Sequence, residues 1–267
     1  MKRSIAFITA FLMLMVMLGV PVFAAGESAD VYVTVSDKEG KLALAQEKIT
    51  VTDKDGDSKI TLNDALICAH DAKYTGGAAA GYSYALGQFG YSITKLWGSE
   101  NGSGYGYYIN NASAWNLTDE VKSGDYVNAY VYTDTVTWSD TYCYFDVSAL
   151  SSCKGTSATL TLFAAGYDAN FNPIVEPVKD AVITVNGVAS NYKTDANGKV
   201  TIYLLNEGTH VISATSSSKT LVPPVCVLNV GASSPQTGDA SVAVAALAVA
   251  ALAVTVITAK RRTVYEK

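Results

Sequence analysis

The sequence predicts an α+β domain with one main helix, followed by an all-β sandwich domain and a C-terminal transmembrane helix. Three observations predict this order. Residues 28–149 combine several stretches of alternating apolar and polar side chains with one stretch of helical periodicity. Residues 155–231 contain short strand-like stretches at regular spacing, separated by Asn-Gly and Glu-Gly turns. Residues 240–259 carry no charged side chain and are long enough to cross a bilayer as a helix.

The N-terminus predicts export from the cytoplasm. Lys2 and Arg3 are followed by the apolar run Ile5–Val20 and by a candidate cleavage site at Val22–Ala24. This is the layout of a secretory signal peptide, which we place at residues 1–25 and exclude from the fold. The alternative is an N-terminal anchor helix that is not cleaved.

The exported part of the chain is acidic. Without the signal peptide and residues 239–267 it holds 13 Lys and Arg against 22 Asp and Glu, a formal charge of −9. Binding to a phosphate backbone needs a basic face, so we expect no nucleic acid partner. The composition suits a solvated surface protein.

The basic residues after the apolar span predict its orientation. Lys260–Arg262 follow the span at once, and by the positive-inside rule they keep the tail, residues 260–267, in the cytoplasm. Everything before Asp239 then lies outside the cell.

The linker before the span, residues 232–239, contains the pentapeptide Ser234-Pro235-Gln236-Thr237-Gly238. Together with the span and the basic tail, it resembles the Leu-Pro-x-Thr-Gly sorting signal of Gram-positive surface proteins, with Ser234 in place of Leu. The resemblance implies that sortase cleaves between Thr237 and Gly238 and links the protein to peptidoglycan. The alternative is an ectodomain that stays anchored in the membrane. In both cases we expect the protein at the cell surface of a Gram-positive bacterium.

The elements of the first domain follow one another as strands around one helix. Segments 30–36 and 48–52 alternate apolar and polar residues and predict strands, while segment 62–74 has apolar residues at helical spacing. Further strands are predicted in the tyrosine-rich segments 104–114, 124–134 and 141–149.

The loop before the predicted helix, Asp53–Asp64, reads DKDGDSKITLND. Its oxygen-bearing residues have the spacing of a twelve-residue calcium loop, which uses positions 1, 3, 5, 7, 9 and 12. The expected ligands are Asp53, Asp55, Asp57, the carbonyl of Lys59, Thr61 and Asp64. The loop resembles that of an EF-hand and, more closely, that of a dockerin module, which implies a structural calcium ion.

Two residues of this loop depart from the family pattern. Ser58 occupies position 6, where the family has Gly, and Gly56 is at position 4. A dockerin needs two such loops and no second copy follows, so we expect calcium to brace the domain and not to mediate cohesin binding. The alternative is an acidic turn that caps the helix beginning near Leu62.

Tyrosine and tryptophan are concentrated between residues 82 and 145. Because side chains alternate along a strand, the even-numbered residues of segment 126–132, three of them Tyr, are expected on one face and the apolar odd-numbered residues on the other. A tyrosine face can be core, or it can be a platform on which sugars or other flat ligands stack. The expected ligand-binding residues are Trp97, Tyr107, Tyr108, Asn110, Trp115 and Tyr130.

The order of helix, Tyr107–Asn111 and Gly124–Tyr126 resembles a domain of unknown function related to the C-terminal β-domain of transcobalamin and intrinsic factor. Asn111 stands where that family has Gly. The resemblance implies a β-grasp-like fold for residues 28–149. In the vitamin carriers this domain closes over cobalamin together with a large helical domain, for which this sequence shows no counterpart.

The second predicted domain contains residues 193–214, which read KTDANGKVTIYLLNEGTHVISA. This segment resembles the prealbumin-like and collagen-adhesin B-type repeat domains of bacterial surface proteins. The resemblance implies a β-sandwich stalk without an active site, placed between the first domain and the anchor.

All four cysteines lie in the exported part. An oxidising exterior permits two disulfides with three possible connectivities, and free buried thiols are the alternative. If bridges form, we expect Cys68–Cys143 and Cys153–Cys226, because each pair stays within one predicted domain.

No catalytic motif emerges from the sequence, so we expect no enzyme activity. The sequence favours a surface binding or adhesion protein whose aromatic residues hold an unknown glycan, protein or small-molecule ligand. The alternative is a surface carrier for a corrinoid or another small ligand in an uptake system. A deep apolar pocket would favour the carrier, an exposed aromatic strip would favour adhesion, and a fully buried cluster would make the aromatic residues core.

Overall fold

The computed structural model describes residues 27–168, 170, 172–203 and 206–232. These residues form seventeen strands and two helices, so the described chain is mostly β. The predicted signal peptide, the sorting motif with Thr237 and Gly238, the apolar span and the basic tail all lie outside them. Within the described ranges, no helix is both long and apolar enough to cross a membrane.

The first unit contains seven strands and both helices. In chain order they are β1 (Ser28–Ser36), β2 (Leu42–Thr52), α1 (Leu62–Lys73), α2 (Gly77–Gly81), β3 (Ser83–Gly87), β4 (Gly90–Lys95), β5 (Tyr105–Ile109), β6 (Ala112–Ser113) and β7 (Tyr126–Val131).

The second unit contains ten strands. They are β8 (Asp140–Phe145), β9 (Ala149–Cys153), β10 (Ser157–Tyr167), β11 (Pro173–Pro177), β12 (Val182–Val185), β13 (Val188–Lys193), β14 (Lys199–Tyr203), β15 (Gly208–Thr215), β16 (Thr220–Val222) and β17 (Cys226–Gly231).

A mixed five-stranded sheet in the order β2-β1-β7-β5-β6 forms the base of the first unit. β1 pairs antiparallel with β2 and parallel with β7, and the helices lie in the chain between these two parallel strands. β5 pairs antiparallel with β7 on its other side. β3 and β4 form a separate hairpin.

The helix predicted over residues 62–74 is α1, and its apolar side faces the core of the first unit. Leu62 and Leu66, one turn apart, are fully buried there. The odd-numbered residues of β7, Val127, Ala129 and Val131, belong to the same core. Burial of such a stripe and of alternate strand residues is what makes this helix and this sheet one stable unit.

The second unit is a β-sandwich. One sheet has the order β11-β10-β8-β16, with β14 also paired to β10, and the other has the order β13-β12-β15-β17-β9. Leu160 and Leu162 from the first sheet pack with Ile183, Ile212 and Leu228 from the second in a single core. The prediction of an all-β sandwich for this part of the chain is confirmed.

The sandwich begins earlier than residue 155, the predicted start of the second domain. Strand β8 pairs with β10 and β16, so it belongs to the sandwich and not to the domain predicted over residues 28–149. Cys143 and Phe145 of β8 lie in the sandwich core. Residues 132–139 connect the two units. The alternation in β8 predicts a strand, but it cannot tell which sheet the strand joins.

Candidate functional site

The two units meet through tyrosine side chains. Alternation along β7 places Tyr130 and Tyr132 on the face turned away from the first core, and alternation along β8 does the same for Tyr142 and Tyr144 on the sandwich. Together with Val222 of β16 these rings form a third, small core between the units.

The rings of this third core are closely packed, and the hydroxyls of Tyr130 and Tyr142 donate hydrogen bonds within it. Tyr108 of β5 stacks on Tyr142 with ring centroids 3.6 Å apart and planes 4° apart. The hydroxyl of Tyr142 donates to Asn111 Oδ1 at 2.9 Å, and that of Tyr130 donates to the hydroxyl oxygen of Tyr132 at 3.2 Å. Burial raises the pKa of Tyr108 to about 12 and the pKa values of Tyr130 and Tyr142 well above the usual range. These phenols are therefore neutral and act as hydrogen-bonding groups.

Beside this core the two units form an open groove of about 360 Å³. Its aromatic lining consists of Tyr108, Tyr130, Tyr132, Trp138, Tyr142 and Tyr167. Its charged groups are Asp140, Glu176 and Lys219. Apolar and aromatic walls with a few polar groups are typical of a ligand-binding pocket.

The connecting segment that carries Trp138 into the groove is held by two carboxylates. Asp140 accepts hydrogen bonds from the main-chain N–H groups of Thr133 and Asp134, both at 2.9 Å. Asp134 accepts from the hydroxyl and the main-chain N–H of Thr137, and the hydroxyl bond contributes most to a pKa of Asp134 well below its ordinary value. Trp138 packs edge-on against Tyr132 at 5.1 Å. The groove wall at Trp138 is thus held by hydrogen bonds and ring packing within the chain.

The structure brings only two of the six predicted ligand residues to this groove. Tyr108 and Tyr130 line it, although Tyr130 is only 2% exposed. Tyr107 is the neighbour of Tyr108 in β5 and therefore points the other way, onto the first core. Asn110 shapes the turn after β5, where its amide donates to Asp125 Oδ1 at 2.8 Å.

Trp97 belongs to a different aromatic cluster, centred on the fully buried His70. The main-chain N–H of Trp97 donates to His70 Nε2 at 3.1 Å, and the two rings are 4.9 Å apart. His70 Nδ1 lies 2.7 Å from the carbonyl oxygen of Leu66, which can only accept, so Nδ1 carries the proton. Burial lowers the pKa of His70. Trp115, the sixth predicted residue, is 93% exposed on the loop after β6.

Three of the six predicted calcium ligands lie together. One carboxylate oxygen of each of Asp53, Asp55 and Asp57 lies within 4.8 Å of the others. The N–H groups of Gly56 and Ser58 donate to Asp53, which lowers the pKa of that carboxyl. Ser58 has φ 66°, so the left-handed turn for which the family uses Gly at position 6 is made here by Ser.

The side chains of Thr61 and Asp64 are arranged as a helix cap. Thr61 is the N-cap of α1, and Asp64 completes a capping box by accepting from the N–H of Thr61 at 2.9 Å. The other oxygen of Asp64 accepts from the N–H of Lys54 at 2.7 Å, and Asp64 is fully buried. Both carboxylate oxygens of Asp64 therefore already accept hydrogen bonds from main-chain N–H groups. At its C-terminal end the loop is a helix cap, which was the alternative to a calcium site there.

All four cysteines carry free thiols in the structure. Cys68 lies in the first core, whereas Cys143 and Cys226 lie in the sandwich core. The expected bridge Cys68–Cys143 is therefore not formed. It assumed that both residues lie in one domain, whereas they belong to different cores. Cys153, at the end of β9, is also free, so the second expected bridge to Cys226 is not formed. Burial raises the pKa of Cys226 to about 12.

Sequence reasoning did not select four aromatic residues of the groove. Tyr132 could have been found from its place on the same face of β7 as Tyr130. Trp138, Tyr142 and Tyr167 could not, because they come from the connector and the second unit, and no local pattern shows that these segments lie opposite β7.

No family model and no curated protein matches the chain. Among solved structures it is similar to the crystal structure of Dscam1 isoform 9.44, N-terminal four Ig domains, with 12% sequence identity and a TM-score of 0.21 over 57% of this chain. The chain spans 36% of the length of that structure's chain. The β-sandwich is established by the strand pairing and the shared core of the second unit, and not by this similarity.

Proposed function

We propose that this protein is a cell-surface, non-enzymatic binding protein whose ligand lies in the groove between the two units. The observation that carries the proposal is the aromatic lining of this groove. Trp138 and Tyr167 are 47% and 62% exposed there, so a ligand can reach their rings. Their backbone is held by hydrogen-bonded carboxylates and paired strands, which keeps the ordering cost of binding low.

The groove supports a small ligand with at least one flat apolar face and several hydroxyl or amide groups. Aromatic rings supply contact area, and the Tyr hydroxyls can donate or accept hydrogen bonds. The volume of about 360 Å³ is near the lower end of the range for pockets that hold drug-sized ligands. It favours a mono- or oligosaccharide or a ligand of similar size over a corrinoid, which is larger.

Thermal unfolding of the full chain tests this proposal. The panel consists of neutral and acidic oligosaccharides and two corrinoids, each compared with buffer alone. A ligand that binds only the native state raises the melting temperature, by an amount that grows with its concentration.

Two variants show whether a ligand-induced rise in melting temperature comes from binding in the groove. Trp138→Ala should abolish it, whereas Val136→Ala, at an 87% exposed position of the same connector, should leave it unchanged. An equal shift in Trp138→Ala, or no shift with any panel member, would reject the groove as the binding site.

We also infer that the carboxylates of Asp53, Asp55 and Asp57 and the carbonyl of Lys59 hold a calcium ion that braces the first unit. Three close carboxylate oxygens on a tightly turned loop support this. Bound calcium would neutralise their mutual repulsion and tie the loop together. Thr61 and Asp64 are left out of this ligand set because they cap α1.

The calcium proposal is tested by unfolding in calcium and in chelator. Calcium should raise the melting temperature of the wild type and of Asp180→Asn, a control at an exposed acidic position. It should not raise that of Asp57→Asn. Equal responses of the three proteins would remove the calcium site.

We propose that the chain is attached to the cell wall through Thr237, as its sorting-signal-like segment implies. After cell lysis and boiling in detergent, the wild type should remain covalently bound to peptidoglycan, while Thr237→Ala should move to the membrane fraction. A wild type that detergent extracts completely from membranes would support the simple membrane anchor instead.

A further inference from the structure

The first unit has an exposed apolar surface that is separate from the groove. Leu86 and Phe89, in and beside the turn of the β3–β4 hairpin, are 69% and 90% exposed, and Trp115 on the neighbouring loop is 93% exposed. We call these three residues the aromatic tip. Single exposed apolar residues are ordinary, but several large ones on adjoining loops mark an interaction site.

The two loops of the aromatic tip are tied to each other. Asn116 Nδ2 donates to the carbonyl oxygen of Phe89 at 3.3 Å, and the Asn116 amide lies against Gly90, where an added side chain would collide with it. The carboxylate of Asp119 accepts from the N–H of Trp115 at 2.7 Å. The backbone that carries Phe89 and Trp115 is therefore held by hydrogen bonds within the chain.

The segments that carry the aromatic tip contain no charged side chains, and the carboxylate of Asp119 beside Trp115 is engaged by the N–H groups of Trp115 and Asn116. Neither segment 82–94 nor segment 105–118 contains Asp, Glu, Lys or Arg, although the exported part as a whole carries a formal charge of −9. The residues next to Phe89 and Trp115 in the chain include two with amide side chains, Gln88 and Asn116. Such a surface is complementary to an uncharged partner that offers both C–H faces and hydroxyl groups.

We propose that the aromatic tip binds a neutral carbohydrate chain. The C–H face of a sugar ring packs on an aromatic ring, and its hydroxyls can pair with the neighbouring amide groups. This site goes beyond the groove of the proposed function and uses none of its residues.

The patch is too small for a stable contact between two copies of the chain. Its two aromatic rings, at about 150 to 250 Å² each, together with Leu86 contribute less than the about 800 Å² per partner of a standard protein interface. A lipid surface is also a poor match, because anionic membranes attract basic residues and this region has none.

Cosedimentation of the full chain with insoluble cellulose and chitin, both neutral polysaccharides, tests the proposal. The wild type should bind at least one of them. Trp115→Ala and Phe89→Ala should each weaken binding by about tenfold or more, as expected for truncation of a central aromatic anchor. Both side chains face solvent, so the melting temperature should stay unchanged.

Two control variants separate this site from other exposed rings. Tyr203→Ala removes an aromatic side chain that is 58% exposed on the sandwich, and Trp138→Ala alters the groove. Tyr203→Ala should bind the polysaccharide like the wild type, and Trp138→Ala shows whether the groove takes part in binding. If binding is lost in Trp138→Ala and kept in Trp115→Ala, the groove is the carbohydrate site and the aromatic tip is not.

Three other results would overturn the proposal. The first is a wild type that binds neither polysaccharide. The second is binding to phosphatidylcholine vesicles that depends on Trp115, which would make the tip a lipid contact. The third is a dimer, seen by sedimentation, that becomes a monomer in Trp115→Ala.

Discussion

His70 has fixed hydrogen-bonding roles, from which we expect the fold to lose stability in acid. Its Nε2 accepts from the N–H of Trp97, and a proton on Nε2 would break this bond and place two donors against each other. The ring packs against Tyr74, Tyr82 and Trp97, and the charged side chain that affects its pKa is Asp71. Desolvation has the largest effect and lowers the pKa of His70.

This arrangement predicts a loss of stability below about pH 6.5, the ordinary pKa of histidine. As pH falls through that value, the unfolded chain takes up a proton on His70 and the folded chain does not, so unfolding becomes more favourable. The loss ends once pH passes below the lowered pKa of the folded state.

Denaturant unfolding at about pH 7.5 and about pH 5 measures this loss. The difference in unfolding free energy between the two pH values should be smaller in His70→Gln than in the wild type. It should persist in His210→Gln, which alters the only other histidine of the sequence. An unchanged difference in His70→Gln would show that other groups cause the acid sensitivity.

At the scale of elements, the cap of α1 predicts how Asp64 contributes. Asp64→Ala removes the acceptor of two main-chain N–H groups, those of Lys54 and Thr61. Loss of a cap of this kind costs about 0.5–2 kcal/mol of unfolding free energy, and the buried N–H of Thr61, left without its partner, places the loss at the upper end.

Urea unfolding in calcium and in chelator separates the two roles that the sequence left open for Asp64. If Asp64 acts as a cap, Asp64→Ala should lower the unfolding free energy by the same amount in calcium and in chelator. A loss that appears only in calcium would make Asp64 a metal ligand and would contradict the arrangement described here.

The elements also show how far local sequence patterns reach. The alternation of Tyr126–Val131 correctly predicted which side chains of β7 share a face, and the periodicity of segment 62–74 predicted α1. The same kind of pattern in β8 left its sheet undetermined, because an apolar Cys143 suits either core. The residues that cover the tyrosine face of β7 were not predictable either. Tyr142 and Val222 come from strands β8 and β16 of the second unit, and no local pattern shows that these strands lie against β7.

At the scale of the whole molecule, the tyrosine core predicts that the two units unfold together. Tyr142 is 4% exposed, stacks on Tyr108 and bonds Asn111 across the boundary. Gln46 adds a second link, since its side-chain amide donates to the carbonyl oxygen of Val225 at 3.0 Å.

Calorimetry should show one transition for the wild type and two for Tyr142→Ala, because truncating a buried aromatic side chain costs about 3–5 kcal/mol. Tyr203→Ala, which lies away from the boundary, should keep a single transition. Two transitions already present in the wild type would mean that the units are not coupled.

The groove depends on both units, so a ligand bound there must protect both at once. The most direct measurement is hydrogen–deuterium exchange of the full chain, with and without the panel member that raises its melting temperature most. Protection should appear together in β7 and the connector of the first unit and in β8 and β10 of the second, and should vanish in Trp138→Ala. Protection confined to one unit, or centred on the β3–β4 hairpin, would contradict a binding site between the units.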